Sequence, residues 1–311
     1  MAMNQAVFPY NLRMPIRKLL LTATLLLASL TLHAQSPITT DPTPDKANPA
    51  AMQSFQLPSH GALLNAFVYI ASGASPHQTV ILLHGFPGNE KNLDLAQSIR
   101  RAGWNVLYFN YRGSWGSPGD FSFTHCIEDV QSAIAYLRDP ANAKKLRVDS
   151  THLVLIGHSM GGFMALEAGA RDPGIRAIVT ISAADMSGGR RQAVPAANHD
   201  LAVKSIARGL ASQGMAPLAG TTPETLANEV LLNAAKWNFL SLAPELATRP
   251  LLVITSDDGL AASNTALADA VKKAGDQQVI EVHFPTDHSY SDHRIALEQA
   301  VLDGLARVNQ K

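Results

Sequence analysis

Beyond about Met52 the chain alternates short, uniformly apolar runs with longer stretches whose apolar positions recur every three or four residues. Leu63 to Ile70 reads as a strand, paired with the preceding segment across the Ser59-His60-Gly61 turn. Val80 to Leu83, Val106 to Phe109, Leu153 to Ile156, Ala177 to Ile181, Leu251 to Ile254 and Val279 to Val282 suit strands buried on both faces. Leu93 to Ala102 and Ile127 to Leu137 have helical spacing, and Leu297, Val301, Leu305 and Val308 fall on one face of a last helix. This alternation predicts an α/β fold, a mostly parallel sheet flanked by helices and joined by right-handed crossovers. It breaks between Asp185 and Arg249, where Ala and Leu recur with helical spacing and no strand pattern. Structureless loops of that length are uncommon in compact domains. The stretch is therefore expected to be a small helical insertion, about residues 186–240, followed by a helix leading back to the sheet near Pro250. No internal repeat is visible.

The first segment follows another pattern. Arg13, Arg17 and Lys18 precede an apolar run from Leu19 to Leu32, closed by Leu32-His33-Ala34. A basic region, a short apolar core and a small residue in that order predict a secretory signal peptide over 1–34. An uncleaved anchor is the alternative, although the run is short of the roughly 20 apolar residues of a comfortable span. No cysteine follows it, so a lipid-anchored form is not expected. Residues 35–51, rich in Pro, Thr and Asp, read as a flexible linker, and 52–311 as the folded domain. The expected destination is secreted or periplasmic, with no stable membrane partner once the leader is removed.

Composition narrows the class further. With 46% hydrophobic and only 16% charged residues among 311, the chain can bury a sizeable core and is no disordered polyelectrolyte. Its 25 basic and 25 acidic residues balance, leaving no electrostatic footprint for nucleic acid. The single Cys126 excludes a disulfide scaffold and any multi-cysteine metal or cluster site.

The strongest chemical signal is Gly157-His158-Ser159-Met160-Gly161-Gly162, placed directly after a buried strand and opening a helical stretch. A strand-to-helix reversal of this kind forces the serine into a strained conformation, and only glycine fits the close approach on either side. A serine hydroxyl needs a base to become a nucleophile, and donors for the oxyanion that forms on attack. His84-Gly85-Phe86-Pro87-Gly88 follows the first buried strand, where a turn would aim the Phe86 amide at the serine. The Met160 amide, at a helix N-terminus, would supply the second donor. His84 is expected to hold its loop. An incidental serine in a glycine-rich turn, and a plain Gly-Pro loop, are the alternatives.

Together with Tyr111-Arg112-Gly113 after the next strand, these motifs resemble the α/β-hydrolase superfamily, most closely its secreted esterase-like and serine-aminopeptidase-like members. The likeness runs from roughly Gln56 to the C-terminus, with the Asp185–Arg249 stretch in the place of the family's variable lid. It implies a triad in the order Ser, acid, His, with Ser159 first. The family's acid lies three residues after a glycine, here replaced by Thr255, which points to Asp258 ahead of Asp257. Asp185 is a third candidate, and a helix N-cap is the structural role open to Asp257 and Asp258. His288 matches the family's Asp-His position in the loop after the last strand. His293 is expected to pack against or cap the final helix. A metal site of Asp287, His288, Asp292 and His293 is a weaker alternative.

The resemblance thus implies a serine hydrolase cleaving small carboxylic esters through an acyl-enzyme, without cofactor or metal. An exopeptidase or amidase of the same fold is the nearest rival, but Asp200, Glu224 and Glu229 are too widely spaced for an amine-gripping pair. A catalytically silent binding module is the reading from another class. Met215, Leu218, Leu231, Leu232 and Trp237 are expected to line an apolar pocket over Ser159. The resemblance leaves the substrate open, because the fold hosts many chemistries.

Overall fold

The computed structural model describes residues 36–188, 195–275 and 278–308, so the expected leader at 1–34 lies outside the described residues. The apolar runs become β1 (Ala51–Ser59), β2 (Ala62–Ile70), β3 (His77–Leu83), β4 (Asn105–Phe109), β5 (Val148–His158), β6 (Ile175–Ile181), β7 (Leu251–Ser256) and β8 (Val279–Phe284). They form one sheet in the order β1-β2-β4-β3-β5-β6-β7-β8. β1 and β2 make an antiparallel hairpin, β2 runs antiparallel to β4, and every other pairing is parallel. The helices are α1 (Leu93–Arg101), α2 (Phe123–Arg138), α3 (Pro140–Leu146), α4 (Met160–Arg171), α5 (His199–Ala211), α6 (Pro223–Asn233), α7 (Ala243–Leu246), α8 (Ala261–Lys273) and α9 (Arg294–Val308).

Period-two alternation sorts each central strand between two cores. Ile81, Leu107, Leu155 and Val253 face a core shared with α2, α4 and α8. Val80, Val106, Val154 and Leu252 face a second core, closed by Leu95 and Ile99 of α1 and by Leu297, Val301 and Leu305 of α9. Both faces are covered, as a parallel sheet requires. The edge strand β8 departs from the expected double burial: its residues are half-buried or exposed, and Glu281 pairs with Lys272. A charged outer face protects an edge from further pairing.

The connectivity sets where a site can form. β4 lies on one side of β3 and β5 on the other, so the chain reverses direction across the sheet there. The loops after β3 and β5 leave in opposite senses and open a crevice at the strand C-termini. The expected insertion lies between β6 and β7, where α5, α6 and α7 are the helices among the described residues.

Two features differ from the sequence reading. The stretch expected as a flexible linker is held against the domain near both of its ends. Ile38 packs on the second core, and the Arg101 guanidinium donates to the carbonyls of Pro37 and Ile38. Nearer the domain, Gly73 bonds the Asn48 carbonyl and Arg147 the Pro49 carbonyl. The Tyr111-Arg112-Gly113 motif, noted only as a family marker, anchors a buried network. Asp129 accepts from the Arg112 amide at 2.8 Å, the Arg112 Nε at 2.7 Å and the Ser59 hydroxyl at 2.6 Å. Glu128 takes the outer guanidinium nitrogen. Removing this buried carboxylate leaves the Arg112 amide and Nε and the Ser59 hydroxyl without their acceptor, so Asp129→Ala should cost about 3–5 kcal/mol in urea unfolding. A loss under about 1 kcal/mol, the range of surface pairs, would contradict this account of the network.

Candidate active site

Ser159 sits between the last residue of β5 and the first of α4 with φ 56° and ψ −121°, a conformation L-residues rarely adopt. It is locked there from several directions. Its amide donates to the Ile181 carbonyl at 2.8 Å, and its carbonyl accepts from Gly162 and Ala184, each at 2.9 Å. The reversal demands a missing side chain at Gly161, where a Cβ would lie 2.2 Å from the Leu83 carbonyl oxygen. Gly85 lies close against the serine itself, since a Cβ there would meet the Ser159 Cβ at 2.9 Å.

Asp258 follows β7 and His288 follows β8, and the two meet above the sheet edge. The His288 Nδ1 lies 2.7 Å from Asp258 Oδ2, with the carboxylate almost wholly buried and the imidazole partly exposed. Asp258 Oδ1 also accepts from the Leu260 amide at 2.9 Å, so one carboxylate serves both the histidine and the turn into α8. Asp257 points elsewhere, to His283 at 3.2 Å, and Asp185 accepts from the Ser187 amide and hydroxyl. Behind Asp258, the Ser182 hydroxyl bonds the buried Tyr290 hydroxyl at 2.8 Å.

His293 takes the helical place expected of it. Its carbonyl accepts from the Leu297 amide, its ring packs on Phe284, and its Nδ1 lies 2.9 Å from Asp292. Of the residues considered for a metal site, Asp292 and His293 bond each other, while Asp287 and His288 bond partners outside the set. Asp287 accepts from the Ser289 and Ser291 amides, Asp292 bonds Thr286 and His293, and His288 bonds Asp258.

Two cavities open at Ser159 and share Phe86, Ser159, Gln213 and His288 as walls. The smaller, about 240 Å³, has a mixed lining in which Asn89, Glu90 and Ser289 supply polar groups. The larger, about 330 Å³, is apolar, formed by Phe123, Met160, Ala184, Met186, Leu210 and Leu260. None of Met215, Leu218, Leu231, Leu232 and Trp237 lines it. Trp237 is buried edge-on to Phe123 and Phe163, Met215 and Leu218 pack on the core, and Leu232 is 84% exposed. Helical spacing marks a face as apolar but does not say which neighbour that face meets. Met186, Leu210, Gln213 and Glu90 carried no motif that could have singled them out.

The loop carrying Phe86 is gripped from the next strand's turn. The Tyr111 hydroxyl reaches the His84 carbonyl at 3.4 Å and the Trp115 indole donates to the Pro87 carbonyl at 2.8 Å. His84 itself bonds the Gly85 carbonyl at 2.8 Å, and burial pushes its pKa down to about 4. The neutral ring holds the loop, as expected. Met160 opens α4, so its amide belongs to the first turn and has no carbonyl partner within the helix.

Burial alone would raise the Asp258 pKa. Hydrogen bonds from His288, the Leu260 amide and Ser182, together with the attraction of His288, outweigh it and hold the carboxyl well below the ordinary range. A carboxyl depressed in the folded state stabilises it above the unfolded pKa near 3.9, and that contribution is lost as pH falls through the folded value. The stability difference between wild type and Asp258→Asn should therefore shrink as pH is lowered from about 5 toward 3, read by urea unfolding at each pH. A difference that holds constant over that window would contradict the electrostatic account.

Residues 80–300 match the model of the alpha/beta hydrolase family. The chain is 35% identical over 104 residues to YfhR, an uncharacterized protein of Escherichia coli K12, covering 32% of this chain and 35% of that one. It is 33% identical over 104 residues to the sn-1-specific diacylglycerol lipase ABHD11 of Xenopus tropicalis, covering 32% of this chain and 30% of that protein. The chain thus spans about a third of the length of these curated relatives. Among solved structures, Est1E of Butyrivibrio proteoclasticus with ferulic acid bound superposes with TM-score 0.61 at 19% identity, over 82% of this chain and 99% of that one. The sheet order, the turn at Ser159 and the family match agree: the chain belongs to the alpha/beta hydrolase family.

Proposed function

We propose that this protein is a serine hydrolase that cleaves carboxylic esters through an acyl-enzyme. The observation that carries the reading is the His288–Asp258 pair, 2.7 Å apart, opening onto the cavities that expose a conformationally strained Ser159. In the proposed cycle His288 takes the Ser159 proton as the hydroxyl attacks the ester carbonyl. Asp258 holds the imidazole by Nδ1, which keeps Nε2 free to accept, and stabilises the imidazolium that results. The Phe86 and Met160 amides receive the developing oxyanion. His288 then gives its proton to the departing alkoxide, and water repeats the sequence to release the acid. These groups need no cofactor.

The two unlike cavities support an ester whose halves differ, one apolar and one polar. Glu90 is the one carboxylate on the smaller cavity among the described residues. Glu229, considered earlier for gripping an amine, instead accepts from the Phe123 and Thr124 amides at 3.0 and 2.8 Å. This favours ester over aminopeptidase chemistry. With the leader-like 1–34 segment the enzyme is proposed to be exported, which the N-terminal residue of the mature protein tests.

A fluorophosphonate probe should label wild-type protein at Ser159, and Ser159→Ala should lose labelling and ester turnover while staying folded. Asp258→Asn should lower kcat by about 10⁴, as loss of the correct imidazole orientation does elsewhere. His288→Ala should cost at least as much and His293→Ala little. Labelling at another serine, or amide turnover above ester turnover, would overturn the proposal. Across p-nitrophenyl esters, kcat/KM should rise about fourfold per methylene until the apolar cavity fills, at about 0.8 kcal/mol each. Leu210→Ser should flatten that slope. A flat wild-type profile would remove the cavity from the account.

A further inference from the structure

We propose that His158, the residue immediately before Ser159, is a positioning residue that sets the aim of the base. It is buried at the end of β5, and its Nε2 lies 2.8 Å from the main-chain carbonyl of His288. A carbonyl only accepts, so Nε2 carries the proton and the ring is the donor. Burial, reinforced by the nearby His288, lowers the pKa of His158 to about 4, which keeps this tautomer neutral across the working range. Its Nδ1 is buried without a hydrogen-bond partner among the described residues, so the ring's polar contact is the one to His288. The two imidazoles also touch, 4.7 Å apart between centroids and tilted by 38°.

The consequence follows from adjacency. His288 is held at its ring by Asp258 and at its backbone by His158. Asp258 is tied to the nucleophile across the paired C-terminal ends of β7 and β6, whereas His158 is covalently bonded to Ser159. The backbone that fixes the hydroxyl therefore also fixes the base, with no intervening element in which error can accumulate. Without His158 the ring can keep its Asp258 bond and still swing Nε2 off the line to the serine. The loop would remain attached, since Arg294 donates to the Ser289 carbonyl at 2.9 Å and Tyr290 bonds Ser182. The loss should thus appear in the chemical step, not in folding.

This inference rests on the proposed roles of Ser159 and His288. Its test compares His158→Leu, His158→Gln and His158→Asn, with kcat expressed per site titrated by the fluorophosphonate probe. The Gln amide nitrogen reaches the place of Nε2, while that of Asn stops near Nδ1. His158→Leu and His158→Asn should lower kcat on the order of 100-fold with KM within about twofold, and His158→Gln should recover most of it. A merely structural role would lower Tm and the titrated fraction but leave kcat per site unchanged. The inference is overturned if His158→Leu keeps wild-type kcat per site. It is equally overturned if Gln and Asn perform alike, a comparison that holds even should the Leu variant fail to fold. If wild-type protein is not labelled at Ser159, the catalytic reading itself fails, and that outcome is distinct from an active His158→Leu enzyme.

Discussion

The rest of the site depends on the backbone reversal at Ser159. A side chain held at φ 56° and ψ −121° carries strain of about 1–3 kcal/mol and persists only where its surroundings over-determine it. Here they do. The Ser159 amide and carbonyl are claimed by Ile181, Gly162 and Ala184, and Gly161 lets α4 come down onto the β3 carbonyls. Relaxing the serine would break hydrogen bonds to β6 and separate α4 from the sheet. The strain is therefore offset by the core, and its product is a hydroxyl raised into the crevice at a helix N-terminus.

Around that fixed point, position is conferred by buried polar contacts on loops that have no regular structure of their own. Asp258 is held by the Leu260 amide, the Phe86 loop by Tyr111 and Trp115, and the His288 loop by His158 and Arg294. Burial also sorts the histidines. His84 and His158 are pushed to about 4 and stay neutral, so neither adds a competing cation beside the serine. The partly exposed His288 instead faces a carboxylate held ionised, the contact that the proposed proton transfer requires. Chemically identical side chains thus take different duties according to the water each retains.

What could be read from the sequence divides along the same line. The β5 run and the Gly157–Gly162 signature foretold the strand, the turn and the helix because each is a local consequence of apolar period and glycine spacing. The Asp258–His288 juxtaposition was reachable because loops after late strands gather at one edge and the family resemblance selected Asp258 and His288 within those loops. Residues brought in from across the sheet or the insertion were not legible. Nothing in the spacing of Met186, Leu210 or Gln213 says that they meet Phe86, and of the apolar positions chosen instead Met215, Leu218 and Trp237 pack on the domain core while Leu232 faces solvent. The edge position of β8 was hidden too, since Val279, Ile280 and Val282 match the composition of a central strand.

The insertion's attachments bear on how it can contribute. After α5 its chain is sewn to the β4–α2 loop by backbone bonds, Trp115 to Pro217, Ala219 to Gly113 and Phe121 to Ala219. Farther on, Glu229 clasps the first amides of α2, a carboxylate at the positive end of a helix. Swinging the α5–α6 unit away from Ser159 would break all of these together. The same loop carries Tyr111 and Trp115, which hold the Phe86 turn. The wall of the apolar cavity and the loop expected to bind the oxyanion are thus fastened to one element, β4 and its turn, so that substrate shape and oxyanion geometry are set against a common reference. On the proposed ester-cleaving reading, discrimination among acyl groups would fall to the side chains at 186, 210 and 213, which line that cavity beside the serine.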